Sequence, residues 1–303
     1  MPWFLIALLN PILHAGVNHF DKYLLSKYFK EVQVGSLVIF SALFAVILLP
    51  IVALLAPNFM QVSFLHGIIL TFNGMLIVQA IICYLYALDE DEASFVVPLF
   101  QMIPIFGLII GFAFLGEIIA FKTIIGGLIV IAGSTILSLN IQNKRIHIKK
   151  KVLLLMLASS FLYALNITIF KSIAINNGFW KSLFWDLTGK IIFGLLLLVF
   201  VTSFRRSFLT VLRKYKTSFV LLNGVNELLS IAGDWSLAFS ALLAPVFIVQ
   251  TVSTIQPIFV FIFGYIITIF FPHIGKETLE KKVMVQKLIG IGIVILGGLL
   301  LAL

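Results

Sequence analysis

Ten apolar runs, at about 3–20, 33–56, 65–88, 93–115, 120–140, 152–174, 180–203, 218–240, 244–271 and 286–303, decide what this chain can become. Each is close to the ~20 residues that carry an α-helix across a bilayer, and none alternates as a half-buried strand would. Only 11% of the 303 residues are charged, against about 25% in a soluble domain, so there is too little polar surface to face water on every side. The sequence predicts an all-α integral membrane protein of ten transmembrane helices, because only helices and closed barrels satisfy the backbone in hydrocarbon.

The second constraint is repetition. PIFGLIIGFAFLGEIIAFKTIIGGLIVIAG, residues 104–133, returns in diverged form at 257–297. Pro104 follows Gln101 and Pro257 follows Gln256; the glycines Gly126 and Gly133 are echoed by Gly290 and Gly297. The second copy carries 11 extra residues, ten of them accounted for by the charged HIGKETLEKK segment. Five spans per half is an odd number, which forces the second half into the membrane upside down as a 5+5 inverted repeat. The halves are 1–140 (spans 1–5) and 152–303 (spans 6–10), joined by the basic linker 141–151.

Seventeen of the 21 Lys and Arg lie in the loops after spans 1, 5, 7 and 9, all on one side. The positive-inside rule makes that side cytoplasmic and puts both termini outside. The net charge of +9 is therefore a topology signal and not a nucleic-acid footprint, with anionic lipid headgroups as its natural partners. The N-terminus lacks a basic n-region and reads as a first span, Cys83 stands alone, and Trp235, Tyr84 and Tyr86 read as interface anchors. The segment 204–216, with apolar positions at helical spacing beside five basic residues, reads either as a helix along the headgroup layer or as a basic loop. No zinc, phosphate-loop or nucleophile-elbow motif is present, and no cofactor or metal is expected.

Polar groups inside spans need a partner or a water-filled cavity. Asn223, Glu227, Ser230 and Asp234 share one face of span 8; Asn10, His14 and Asn18 share one face of span 1, where Pro11 interrupts the ladder. Lys190 is a candidate partner for Glu227, unless it pairs with Asp186 four residues away. Asn73, Gln79, Gln101, Tyr163, Asn166 and Gln256 add polar groups in spans 3, 4, 6 and 9, and Pro104 and Pro257 sit where hinges or bends would match between halves.

EASFVVPLFQMIPIFGLIIGFAFLGE (92–117), the following glycine pair and the echo APVFIVQTVSTIQPIFVFIFGYIIT (244–268) resemble the EamA-like branch of the drug/metabolite transporter superfamily over nearly the whole chain. The resemblance implies a central cavity near the midplane and alternating access. It departs at Gly116-Glu117, which has no counterpart in the second half. The expectation is a secondary transporter of a small metabolite, such as an amino acid or an amphiphilic compound, working outward from a prokaryotic inner membrane. Asn10, His14, Asn18, Asn73, Gln79, Gln101, Tyr163, Asn166, Asn223 and Gln256 would contact solute. Glu227, His14 and Asp234 would couple transport to protons, and Pro11, Pro104 and Pro257 would act as hinges. The alternatives are an exchanger of phosphorylated solutes using Lys22, Lys171 and Lys190, a lipid flippase, and a non-transporting scaffold whose polar stripes pair fully.

Overall fold

The computed structural model describes residues 2–28, 34–90, 96–139, 149–270 and 281–302, with side chains for all of these except 21–28, 215–219, 281 and 302. The apolar runs fold as helices: α1 (Pro2–Tyr28), α2 (Val34–Leu55), α3 (Phe64–Glu90), α4 (Ile103–Leu115), α5 (Phe121–Ser138), α6 (Lys150–Asn177), α7 (Phe179–Phe200), α8 (Thr202–Leu243), α9 (Val246–Ser253), α10 (Gln256–Phe270) and α11 (Lys281–Ala302). No strand occurs among the described residues. Eight helical segments are long and apolar enough to cross a membrane; α1 and α8, whose polar residues dilute their hydropathy, fall outside that set. Large apolar side chains cover the exterior, Ile118, Phe64 and Leu54 keeping more than four-fifths of their surface open. That is the exterior hydrocarbon solvent requires, and the chain is a multi-pass membrane protein.

Two helices are broken where the prolines fall. Val97–Met102 is a 3-10 turn leading into α4, and Thr254–Ile255 separate α9 from α10. Gly116, at φ +63°, ends α4 in the left-handed conformation that favours glycine, and Gly178, at φ +89°, turns α6 into α7. The basic segment 204–216 is neither a separate surface helix nor a loop: it is the first part of α8, a helix of 42 residues and about 63 Å if straight. Its apolar face meets α2, with Phe204 filling the space over Gly35 and Val211 packed on Phe40.

The closest pairings are α5 with α11, α3 with α6, α1 with α8, α3 with α7 and α2 with α7; α2 also meets α8, α4 meets α6 and α9, and α1 meets α10. Between α5 and α11 the contact is reciprocal: a methyl group on Gly133 would come within 3.0 Å of the Gly290 carbonyl oxygen, and one on Gly290 within 3.1 Å of that of Gly133. Small residues let backbones approach where no hydrophobic effect drives helices together. Gly292 and Gly298, also on α11, face open space. Gln286 of α11 donates to the carbonyls of Ile136 (2.6 Å) and Leu139 (2.8 Å), satisfying acceptors at the end of α5.

At the basic end, Glu90 closes α3 and takes Lys151 as an ion-pair partner, while Lys149 donates to the Glu90 carbonyl. Lys151 holds the Glu90 carboxyl below the usual glutamate range. A depressed folded-state value means the contact's contribution is present above the ordinary Glu pKa and is lost as pH falls through the folded one. The stability difference between the protein and Glu90→Gln should accordingly be small, salt-sensitive and gone at acid pH in urea titrations of the detergent-purified protein.

Candidate functional site

The polar stripes of α1 and α8 face each other. Asn10 donates to the Gly233 carbonyl at 3.0 Å, and one turn on, His14 Nε2 lies 3.0 Å from Asp234 Oδ1. Gly233 makes this register possible, since a methyl group there would press on the His14 ring at 3.0 Å. Both partners are far from helix ends: His14 is about 18 Å from the start of α1 and Asp234 about 14 Å from the end of α8 at the helical rise. Yet the Asp234 side chain keeps 40% of its surface open and His14 keeps 23%, so the pair borders an opening and is not sealed between the helices. Asn18, the third residue of the stripe, is exposed.

Glu227 does not take Lys190 as its hydrogen-bond partner. Its Oε2 accepts from Ser41 Oγ of α2 at 2.9 Å. Asp186, likewise, is held by a neighbour the sequence did not pair with it: Asn73 Nδ2 of α3 donates to its Oδ1 at 2.8 Å, and Asn166 of α6 donates to the Asn73 backbone carbonyl at 3.0 Å. Asn73 is fully buried and its Oδ1 lacks a partner among the described residues. Lys190 touches neither carboxylate at hydrogen-bond distance, and its charge reaches both Asp186 and Asp234. Tyr163 lies within electrostatic reach of Asp234, Glu227 and Tyr84, and its ring is 5.7 Å edge-on from Phe100. His14, Tyr163, Asp186, Lys190, Glu227 and Asp234 thus form one electrostatically connected interior group drawn from four helices.

The remaining candidates divide. Asn223 is buried on α8; Gln79 and Gln256 are half-buried; Gln101 is buried with its Oε1 unpartnered among the described residues. Pro11 is buried inside an uninterrupted α1, Pro104 is the second residue of α4 after the 3-10 turn, and Pro257 the second of α10 after the break. Tyr84 is not an interface anchor: it packs inward on Phe100, ring centroids 4.8 Å apart. Trp235 is also internal, edge-on to Trp180 at 5.8 Å. Tyr86, by contrast, is exposed. The Lys22 side chain lies outside the described residues.

The sequence marked Glu117 and Lys171 separately and did not pair them as a second charged centre. Lys171 Nζ donates to Glu117 Oε1 at 2.6 Å and to the Ala244 carbonyl at 2.7 Å, and Glu117 Oε2 accepts from the Val246 N–H at 2.9 Å. The carboxylate caps the start of α9 and the ammonium caps the end of α8, each complementing the helix dipole it meets. Both side chains are at most a tenth exposed. A signal was available: Glu117 is the only acidic residue between Glu92 and Asp186, and a lysine deep in an apolar run needs one.

Residues 1–139 match the sequence profile of the EamA-like transporter family. No curated protein matches the chain. A solved crystal structure superposes over 99% of this chain and 98% of its own with a TM-score of 0.69; at 12% identity that likeness speaks for the fold alone. The apolar exterior and the matched segment agree: residues 1–139 carry the profile of the EamA-like transporter family, part of the drug/metabolite transporter superfamily, whose members are membrane transporters of small solutes.

Proposed function

We propose that the protein is a ten-span secondary transporter, two inverted five-span halves that expose a shared interior site to each side of a prokaryotic inner membrane in turn and export a small metabolite against protons. The repeat is supported by the helix pairings: exchanging spans 1–5 with 6–10 turns α1–α8 into α3–α6, α2–α8 into α3–α7 and α1–α10 into α4–α6, all of which occur. The charge pattern supports termini on the extracytoplasmic side, since Lys149–Lys151 and Arg205–Arg206 fall at the end opposite Glu117 and Ala244.

The observation that carries coupling is the open His14–Asp234 pair. A histidine beside a carboxylate changes net charge from −1 to 0 on taking one proton, and a solute arriving next to it competes for the same electrostatic well. Complete sealing of the stripes, which a scaffold requires, does not agree with that opening. The phosphorylated-solute reading also loses ground: Lys171 is held by Glu117, and Lys190 faces two carboxylates.

Proteoliposomes loaded with a labelled amino-acid mixture, with and without a pH gradient, test the reading. Gradient-driven efflux should fall at least about tenfold in Asp234→Asn and in Glu227→Gln, whereas gradient-independent exchange should survive. Transport that ignores both the gradient and these substitutions would show that coupling lies elsewhere.

A further inference from the structure

Away from the charged group, α4 and α9 cross beside α5. Gly111 faces Val246 and Gly107 faces Gln250, so four residues forward on one helix correspond to four back on the other. Carried one turn further, the same antiparallel step points Pro104 toward Ser253, and the 3-10 turn that holds Gln101 packs on α5, the helix of Ser134. From the third side, α5 runs parallel to α9: Gly127 meets Phe247, and Ile255 packs among Val130 and Leu137, flanking Ser134.

Five buried side-chain atoms at this junction have no hydrogen-bond partner among the described residues: Gln101 Oε1, Ser134 Oγ, Gln250 Nε2 and Oε1, and Ser253 Oγ. Gln250 is 1% exposed, Ser134 0% and Gln101 7%. The Gln250 carboxamide occupies the notch left by the missing side chain of Gly107, where a methyl group would overlap its oxygen. Buried donors and acceptors are costly when unpaired, and native proteins keep such groups where something else binds. Residues 97–115, 123–139 and 246–270 contain no Asp, Glu, Lys, Arg or His. The charged groups that border the region are Glu117, which accepts from the Val246 N–H at 2.9 Å one turn from Gln250 and is already paired with Lys171, and Lys287, 4.5 Å over the Phe261 ring; His19 donates to the Val260 carbonyl at 2.9 Å.

We infer that the junction of α4, α5 and α9 is an uncharged hydrogen-bonding subsite, formed by Gln250, Ser253, Gln101 and Ser134, that takes a carboxamide or hydroxyl group of the transported solute when the two broken helices part. This rests on the transporter reading above and adds a substrate class to it. Two carboxamides and two hydroxyls supply donors and acceptors together, which suits a neutral polar group. A carboxylate or ammonium entering there would lose its water without gaining an opposite charge. Ionic parts of the solute would stay on the His14–Asp234 side.

Thermal unfolding of the detergent-purified protein and of Gln250→Met, with and without an equimolar mixture of glutamine, asparagine and serine, tests the subsite. Methionine keeps the shape and removes the unpaired amide. Gln250→Met alone should raise Tm; the mixture should raise Tm of the unmodified protein and leave the variant where it is. Ser253→Ala, the milder variant, should reduce the mixture's shift without lowering Tm. Aspartate and lysine should shift neither protein. A fall in Tm on Gln250→Met with an unaltered ligand shift would make the carboxamide structural, and a mixture that stabilises neither protein, or both alike, leaves the junction holding water only and overturns the proposal. Transport is scored separately: binding without movement in proteoliposomes sinks the transporter reading and keeps the subsite.

Discussion

Gly74→Ala should destabilise the protein by about 3 kcal/mol or more, among the largest effects of any single methyl group in the chain. A Cβ at Gly74 would overlap the Asp186 carbonyl oxygen and come within 2.9 Å of the Lys190 backbone nitrogen. Both obstacles are helix backbone, which cannot rotate away as a side chain would, so α3 and α7 must separate. Gly189 makes the reciprocal contact one turn on, where a methyl group would overlap the Thr71 carbonyl. Separation would also stretch the 2.8 Å hydrogen bond from Asn73 to Asp186 and expose a buried carboxylate to hydrocarbon. The check is the midpoint of thermal unfolding in detergent for Gly74→Ala, Gly189→Ala and, as a control, Gly292→Ala, whose added methyl meets nothing within 4 Å. Equal midpoints for Gly74→Ala and Gly292→Ala would mean that the helices do not pack this closely.

What the sequence disclosed divides along physical lines. Helix existence was legible because it depends on apolar runs, and hydrocarbon leaves the backbone few choices. The stripes of α1 and α8 were legible as faces because Asn10 and His14, or Glu227 and Asp234, sit near whole turns of one helix. Their meeting was not derivable from periodicity, which says which way a side chain points and not which neighbour stands there. For the same reason the hydrogen-bond partners of Glu227 and Asp186 were not legible: Ser41 and Asn73 lie on helices whose register against α8 and α7 is set by Gly74, Gly189 and other close contacts. Continuity of α8 through its basic start was readable, since no proline falls between Thr202 and Leu243; the charge change there drew attention to a boundary that the backbone does not have. Gln250 and Ser253 stayed out of the candidate site because a polar residue in an apolar run has no sequence signature that separates a paired group from an unpaired one.

Lys171→Met should cost about 3–5 kcal/mol, and the same loss should be largely recovered by adding Glu117→Gln. Removing the ammonium alone leaves a buried carboxylate whose remaining donor is the Val246 N–H, and leaves the Ala244 carbonyl without its 2.7 Å contact. Removing both charges leaves a carboxamide that still accepts from Val246, so the desolvation cost of an unpaired ion disappears. Glu117→Gln by itself should be the milder single change only if Lys171 can keep the Ala244 carbonyl, because an ammonium retains one acceptor where the carboxylate would lose its only cation. The cycle reads the coupling directly: a double variant as unstable as Lys171→Met, or two singles whose effects simply add, would show that the pair is not an ion pair in the working protein. A positive coupling would also explain why the Gly116-Glu117 turn occurs in one half alone. It joins the first half to the α8–α9 break at one end of the bundle, while Ile269-Phe270 provide no carboxylate at the related position. On the inverted-repeat transporter proposed above, an ion pair buried in one half alone gives the two ends unequal stability, and the end closed by Glu117 and Lys171 should be the harder one to open.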